Sequence, residues 1–238
     1  MVNWFSRKGK RAEVPRLRPR SEAEPALKVD LAELTPDLLT FLGKSAYLQL
    51  TIFENLGRTL ALAPTTEAKE TLSRVAALSL AKHHGLTAEI RRHGEEPGAV
   101  MQPFTAAIDE YQRTTQGADW HEELLACHIT AGFLDDFFVH LASGLPSDYA
   151  GRVAAVLRAD SGSELLAEQV RRSIDENTLL ASRLAMWGRR LVGDTMLVAR
   201  STLALSANTV SDEARIEPVF TELIAAHTRR MDALGLTA

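Results

Sequence analysis

Cysteine, glycine-rich loops and long apolar runs are scarce in this chain, and each absence excludes a class of protein. The single cysteine, Cys127, cannot form an internal disulfide or a CxxC metal motif, which favours a reducing, cytoplasmic setting. No apolar run approaches the roughly 18 residues of a membrane-spanning segment. The chain has no phosphate-binding loop, GxSxG or HExxH pattern. Its first residues, MVNWFSRKGKR, lack the apolar centre of a secretory signal.

Charge divides the chain into a basic arm and an acidic body. Residues 1–24 hold seven Lys/Arg and three Glu, a net charge of +4, whereas the remaining 20 basic and 28 acidic side chains give −8. We predict a disordered arm over residues 1–29 and one helical domain over residues 30–238. The acidic body argues against nucleic acid as a partner. The arm is either a solvated tail or a contact for an anionic membrane surface or an acidic partner, with Trp4 and Phe5 ahead of its basic cluster.

The body shows helical periodicity and no alternating strand pattern. Apolar residues recur every three or four positions, as in amphipathic helices that pack on a shared core. The first helix is expected to start with Thr35 as its cap and the second at Thr65 or Thr66. The predicted helices span residues 36–61, 65–93, 104–111, 119–143, 147–174, 177–206 and 212–234. This order predicts an all-α fold, a four-helix antiparallel bundle with two additional C-terminal helices.

Three polar residues interrupt the apolar stripes at their centres. Gln49, His83 and Asp160 each stand on a separate predicted helix, where facing helices of a bundle build metal and cofactor sites. A buried polar group is costly unless it is hydrogen-bonded. The three residues could satisfy one another, because amide and imidazole N–H groups donate to a carboxylate. A single cation held by His83 and Asp160 is the alternative.

A di-metal centre in such a bundle needs more ligands than these helices offer. The usual set is one Glu from each of two helices and Glu-x-x-His from each of the other two. The corresponding positions are Gln49, Leu80-x-x-His83, Ala131 and Asp160-x-x-Ser163. Only His83 and Asp160 are standard ligands. We therefore expect no metal and no cofactor, and we treat Gln49, His83 and Asp160 as candidates for a vestigial site.

Other reactive or charged residues have structural interpretations beside functional ones. On the third long helix, His128 shares a face with Asp135, and Asp136 shares another with His140; salt bridges between helices are expected there rather than metal binding. Cys127 is expected to be a small core residue, not a nucleophile. The C-terminal arginines are expected on helix surfaces, where they could bind an acidic partner: Arg189, Arg190, Arg229 and Arg230.

Two C-terminal strings resemble a known family. RLAMWGRRLVGD at 183–194 and AHTRRMDALGL at 226–236, together with the helix order, resemble the ferritin-like superfamily and within it the MiaE-like branch, relatives of tRNA hydroxylases with a non-haem di-iron site. The resemblance covers residues 30–238. It implies Glu at 49, Glu-x-x-His at 80–83, an acidic residue at 131 and Asp-x-x-His at 160–163. This chain departs at four of those positions: Gln49, Leu80, Ala131 and Ser163.

Three functions follow as expectations. The first is a ferritin-like protein with degenerate di-iron ligands that acts as a structural or interaction protein, with a second copy of itself and another protein as partners. The second is an iron-dependent hydroxylase or other oxidoreductase that uses Gln49, His83, Asp160 and a displaced carboxylate such as Asp135. The third is a membrane- or envelope-associated adaptor recruited through residues 1–24.

Overall fold

A computed structural model describes residues 34–205 and 209–236, and every regular element in these ranges is helical, which confirms the all-α prediction. The predicted arm over residues 1–29, with Trp4 and Phe5, lies outside the described residues. The helices are α1 (Leu38–Leu62), α2 (Thr66–Arg92), α3 (Pro97–Met101), α4 (Thr105–Thr114), α5 (Trp120–Leu141), α6 (Ser147–Arg158), α7 (Ser163–Glu176), α8 (Leu179–Arg200) and α9 (Thr209–Ala233).

Four helical segments enclose the core of the bundle. α1 and α2 form a hairpin, α5 packs against α1, and α6 followed by α7 packs against α2 and α5. Gln49 and Thr59 of α1 contact Asp135 and Cys127 of α5 respectively, so these two helices run in opposite directions. A single long connection, residues 93–119, carries α3 and α4 from the second segment to the third. One long crossover is the connectivity of ferritin-like bundles.

α5 is the central helix, and α8 and α9 cover its outer side. Its aromatic residues Phe133 and Phe137 are fully buried. The segment Trp120–Gly144 is long and apolar enough to cross a membrane, with a mean hydropathy of 1.3, yet 78% of an 18-residue stretch within it is buried inside the protein. Its apolar character is therefore that of a core helix.

The sequence correctly predicted the residue that caps α2, but not the residue that caps α1. The hydroxyl of Thr65 accepts the N–H of Ala68 at 3.1 Å, which confirms the predicted start of α2. The cap of α1 is Asp37, whose carboxylate accepts the N–H of Thr40 at 3.0 Å, so the prediction of Thr35 is wrong. Thr35 instead donates its hydroxyl to the carbonyl of Leu141 at 2.9 Å and ties the segment before α1 to the end of α5.

The predicted fourth helix, 147–174, is wrong as a single helix. α6 ends at Arg158, and α7 begins after Gly162, whose φ is +69°. A residue in this left-handed region ends an α-helix, and glycine adopts it without steric cost. A side chain at Gly162 would also collide with α2, because a Cβ there would lie 2.7 Å from Cγ2 of Val75. The break lets α7 approach α2 closely and displaces residues 159–161 from the helical stripe.

Candidate functional site

The centre of the bundle holds a buried ion pair between α2 and α5. The Nζ atom of Lys82 donates to Oδ2 of Asp135 at 2.6 Å, and the side chain of Lys82 is 2% exposed. The same Nζ donates to the carbonyl of Leu157 on α6 at 2.9 Å. The Nε2 atom of Gln49 on α1 donates to Oδ1 of Asp135 at 2.8 Å. Four helices therefore meet at one ammonium and one carboxylate, and we name Gln49, Lys82 and Asp135 the central triad.

The central triad compensates a large electrostatic cost. Each buried ion loses roughly several kcal/mol of solvation free energy. It regains this free energy only when its partners are close and well aligned. Burial raises the pKa of Asp135, while the ammonium of Lys82 and the amide of Gln49 act to lower it. Both carboxylate oxygens accept a hydrogen bond, and Lys82 uses two of its three N–H donors. The chemistry of the triad is that of a satisfied structural network.

Sequence reasoning missed Lys82. The core face of α2 runs through Ser79, Lys82 and Leu86, which are all buried. From Ser79 to Leu86, the observed core face takes a step of three residues to Lys82 and then one of four. The predicted face took a step of four to His83 and then one of three. Both patterns fit a helix of 3.6 residues per turn equally well. The signal in the sequence was the position of Lys82, three residues after Ser79 and four before Leu86. A lysine stem can follow apolar surface, so its charge alone did not exclude the core.

The three predicted site residues do not come together. Gln49 is buried, as predicted, but it bonds Asp135 and not His83 or Asp160. His83 is only partly buried, and its Nδ1–H donates to the carbonyl of Ala46 at 2.9 Å. The predicted network of Gln49, His83 and Asp160 is therefore wrong. The core position that was assigned to His83 belongs to Lys82, one residue earlier on α2.

Asp160 is exposed, so its predicted place in the core of a fourth helix is wrong. It lies in the break between α6 and α7, where its Oδ1 accepts the N–H of Gly162 at 2.8 Å. This bond turns the chain into α7. Of the other positions that correspond to di-metal ligands, Ala131 is buried, Leu80 is partly buried, and Ser163 contacts His128 with 3.4 Å between Oγ and Nδ1.

A second polar cluster joins α5, α7 and α9. His128 is 3% exposed, although the sequence placed it outside the most apolar sector of its helix. Burial, and next the charge of Arg230, lower the pKa of His128 to about 4. The same two causes lower the pKa of His227 to about 4. Arg230, whose charge acts on both histidines, forms an ion pair with Asp136. Both imidazoles are neutral at pH 7.

Three of the four residues of α5 for which salt bridges were predicted, Asp135, Asp136 and His140, contact charged residues of other helices, whereas the prediction is wrong for the buried, neutral His128. Asp135 pairs with Lys82 of α2, Asp136 pairs with Arg230 of α9, and Nε2 of His140 lies 3.9 Å from a carboxylate oxygen of Glu222. The sequence did not predict which helix each residue would reach.

Cys127 is a core residue, as predicted. It is 4% exposed, and its Sγ lies 3.5 Å from Oγ1 of Thr59 on α1. Burial raises the pKa of its thiol to about 12, so the thiolate that a nucleophilic cysteine requires is not formed near neutral pH.

The C-terminal arginines have different surroundings. Arg189, Arg190 and Arg229 are exposed, and Arg190 lies over the ring of Trp187 with 5.3 Å to the centroid. Arg230 is partly buried in its pair with Asp136, so the expectation of a surface position is wrong for that residue. Within residues 34–205 and 209–236, no three His, Cys, Asp or Glu side chains are placed so that they could hold one metal ion.

Comparison with known proteins identifies the domain. The protein-family model described as a ferritin-like domain of actinomycetes matches residues 33–213, which run from the start of α1 into α9. The curated proteins include no match to this chain. The matched range contains the whole central triad and the single long crossover.

Proposed function

The chain belongs to the family of ferritin-like domains of actinomycetes, and from that premise we propose that it is a metal-free member that acts as a structural or interaction protein. The observation that carries the proposal is the ion pair of Lys82 and Asp135, with 2.6 Å between Nζ and Oδ2. The ammonium of Lys82 therefore lies where the bundle helices meet. Bundles of this kind build their metal sites in that region.

The ligand set around the pair supports this proposal. A di-metal centre takes about four carboxylates and two imidazoles. The positions that correspond to the other ligands hold Gln49, Leu80, Ala131 and Ser163, none of which supplies a charged ligand. Both oxygens of Asp135 already accept hydrogen bonds from the chain. The residues present do not fit a di-metal centre.

Repulsion between the ammonium of Lys82 and a metal cation also supports the metal-free proposal. A divalent cation 4 Å from an ammonium is repelled by roughly 8 kcal/mol at an effective dielectric constant of about 20. Even strong structural zinc sites have apparent binding energies of only about 10–16 kcal/mol. Repulsion by Lys82 would therefore cancel half or more of the binding energy of a site with a full set of ligands. The site here does not have such a set.

Within the family, we propose that the chain derives from the MiaE-like branch, on the strings at 183–194 and 226–236 and the substitutions at positions 49, 80, 131 and 163. The competing iron-dependent hydroxylase would need Asp160 and His83 beside Asp135. Asp160 is exposed in the α6–α7 break and His83 is held by Ala46, which favours the metal-free interpretation.

Metal analysis tests the proposal directly. The full chain is produced in cells supplied with iron and manganese, and metal per chain is measured by mass spectrometry. We expect far less than one metal ion per chain and an unchanged thermal midpoint after addition of a chelator. Near-stoichiometric metal that is lost in Asp135→Asn but kept in the matched control Asp136→Asn would overturn the proposal, because only Asp135 belongs to the central triad.

A further inference from the structure

A pocket lies between α1, the start of α4 and the C-terminal end of α8. Its volume is about 300 Å³, and most of its wall is apolar, with Leu48, Phe104, Ile108 and Val198 among the side chains that form it. Among the described residues that line the pocket, Lys44 alone carries a charge. Leu48 and Ile108 are buried, whereas Lys44 is partly buried, so the pocket extends from the core to the protein surface. An apolar pocket of roughly 300–1,000 Å³ with a few polar groups is typical of small-molecule binding sites.

The ammonium of Lys44 has no acidic partner within residues 34–205 and 209–236. Its Nζ atom donates to the backbone carbonyl of Ser201 at 2.6 Å and lies 5.6 Å from the centroid of the Phe104 ring. Burial lowers the pKa of Lys44, and no carboxylate opposes that shift. An ammonium has three N–H donors, and Ser201 accepts from one of them. The pocket therefore contains a partly desolvated cation with donors left for an anion.

The neighbouring glycine places Phe104 beside this cation. A Cβ at Gly43 would lie 2.7 Å from Cε2 of Phe104, so only glycine lets the ring pack this closely against α1. The ring and the ammonium thereby form one wall, with apolar surface next to a positive charge. Ser201 ends α8, where the helix dipole contributes roughly −0.5 of an elementary charge, so the full charge of Lys44 still leaves the pocket positive. Such a wall matches an anionic group joined to an apolar tail.

We propose that this pocket binds a small monocarboxylate with an apolar tail, whose carboxylate accepts hydrogen bonds from Lys44 and whose tail lies against Leu48 and Ile108. The pocket has the volume of about ten water molecules at roughly 30 Å³ each, which fits a ligand of about ten non-hydrogen atoms, such as octanoate. A single ammonium beside the carbonyl end of a helix suits a monoanion. Phosphate sites commonly use helix N-termini or arginine side chains instead. A cationic ligand would be repelled by Lys44, and a neutral ligand would leave its charge unpaired.

The charge of Lys44 should decide which ligands bind. Isothermal titration calorimetry of the full chain with octanoate should give a dissociation constant below about 1 mM. 1-Octanol, with the same tail and no charge, should bind at least about tenfold more weakly. Lys44→Met, which keeps most of the stem, should weaken octanoate binding at least about tenfold and leave 1-octanol binding unchanged. The exposed Lys69→Met is the matched control and should bind both ligands as wild type does. No octanoate binding by the wild-type chain, or equal octanoate binding by Lys44→Met, would overturn the proposal.

A series of tail lengths and a blocked pocket test the position of the ligand. From butanoate to octanoate the affinity should rise roughly fourfold per CH₂ group, and it should stop rising once the pocket is full. A continued rise through dodecanoate would indicate binding to another apolar surface and would overturn the proposal. Ala107→Trp, at an exposed lining position of α4, should block octanoate binding, whereas the control Ala106→Trp, exposed but outside the pocket, should not. Circular dichroism checks that both variants fold, and equal octanoate binding by the two would also overturn the proposal. None of these residues belongs to the central triad, so the results do not depend on the metal content of the protein.

Discussion

Lys82 and Asp135 are 53 residues apart in the sequence, and their charged atoms lie 2.6 Å apart in the centre of the bundle. The pair joins α2 to α5, the two helices that the long crossover separates. The carbonyl of Leu157 on α6 accepts a second hydrogen bond from Lys82, and Gln49 on α1 donates one to Asp135. The ion pair and its two hydrogen bonds thereby connect the four helices α1, α2, α5 and α6. They also place the positive charge of Lys82 at the centre of the bundle.

Lys82→Met should destabilise the protein strongly. The substitution preserves the length of the stem but leaves Asp135 buried without its counter-ion, which costs about 3–5 kcal/mol. We expect a loss of that size in the free energy of unfolding from urea denaturation. The exposed Lys69→Met on the same helix is the control and should change stability by less than about 0.5 kcal/mol.

The double variant Lys82→Met with Asp135→Leu should recover most of the loss. Replacement of both ions with apolar groups removes the unpaired charge as well as the pair. We expect unfolding free energy within about 1–2 kcal/mol of wild type. Equal stability of Lys82→Met and wild type would show that the ion pair does not hold the bundle centre together.

Acidification should destabilise the protein through His128 and His227. The pKa of each is about 4 in the folded protein, against 6.5 for an unperturbed histidine. Between pH 6.5 and pH 4 the unfolded chain therefore binds more protons, so stability falls as pH falls. At pH 5 the expected loss relative to pH 7 is about 2 kcal/mol for each histidine. Denaturant titrations at the two pH values measure it.

A variant comparison isolates the histidine contribution. Asp135, with its raised pKa, changes stability in the opposite sense, so the informative quantity is the pH dependence of a variant relative to wild type. His128→Gln should remove about half of the histidine effect. His84→Gln should leave the pH dependence unchanged, because that imidazole is exposed. An unchanged pH dependence in His128→Gln would contradict the assignment.

Two glycines of α1 should respond to alanine with opposite signs. A Cβ at Gly43 would lie 2.5 Å from the carbonyl oxygen of Val100 and 2.7 Å from Cε2 of Phe104, and the carbonyl belongs to the backbone of α3. Gly43→Ala should therefore cost about 1–3 kcal/mol. No atom lies within 4 Å of a Cβ at Gly57, so Gly57→Ala should stabilise α1 by up to about 1 kcal/mol. Thermal unfolding of both variants checks the difference in sign.

The basic arm should confer weak binding to anionic membranes if the adaptor hypothesis is correct. Residues 1–24 carry seven Lys/Arg, and each basic residue near an anionic surface contributes about 1 kcal/mol. We expect sedimentation with phosphatidylserine vesicles by the full chain, less after deletion of residues 1–24, and none with neutral vesicles. Equal sedimentation of the full chain and of the chain without residues 1–24 would contradict the adaptor hypothesis.

Local patterns in the sequence were sufficient for most of the architecture. The helical period, the Thr65 cap and the apolar character of α5 depend on neighbours within a turn or two, so they can be read before the fold is known. The burial of Gln49 followed from the same period. The break before α7 was not predicted, because the left-handed turn at Gly162 is selected by the approach of Val75 from another helix.

What the sequence by itself determined is therefore an all-α bundle with polar groups in its core, while the loss of a di-metal centre stays a prediction. Only the tertiary structure decided that Lys82 rather than His83 faces the core and that Asp135 is its partner, while Asp160 remains in solvent. The physical reason is that steps of three and four residues fit a helix equally well. The choice between them is made by packing against α1, α5 and α6, whose residues are distant in sequence.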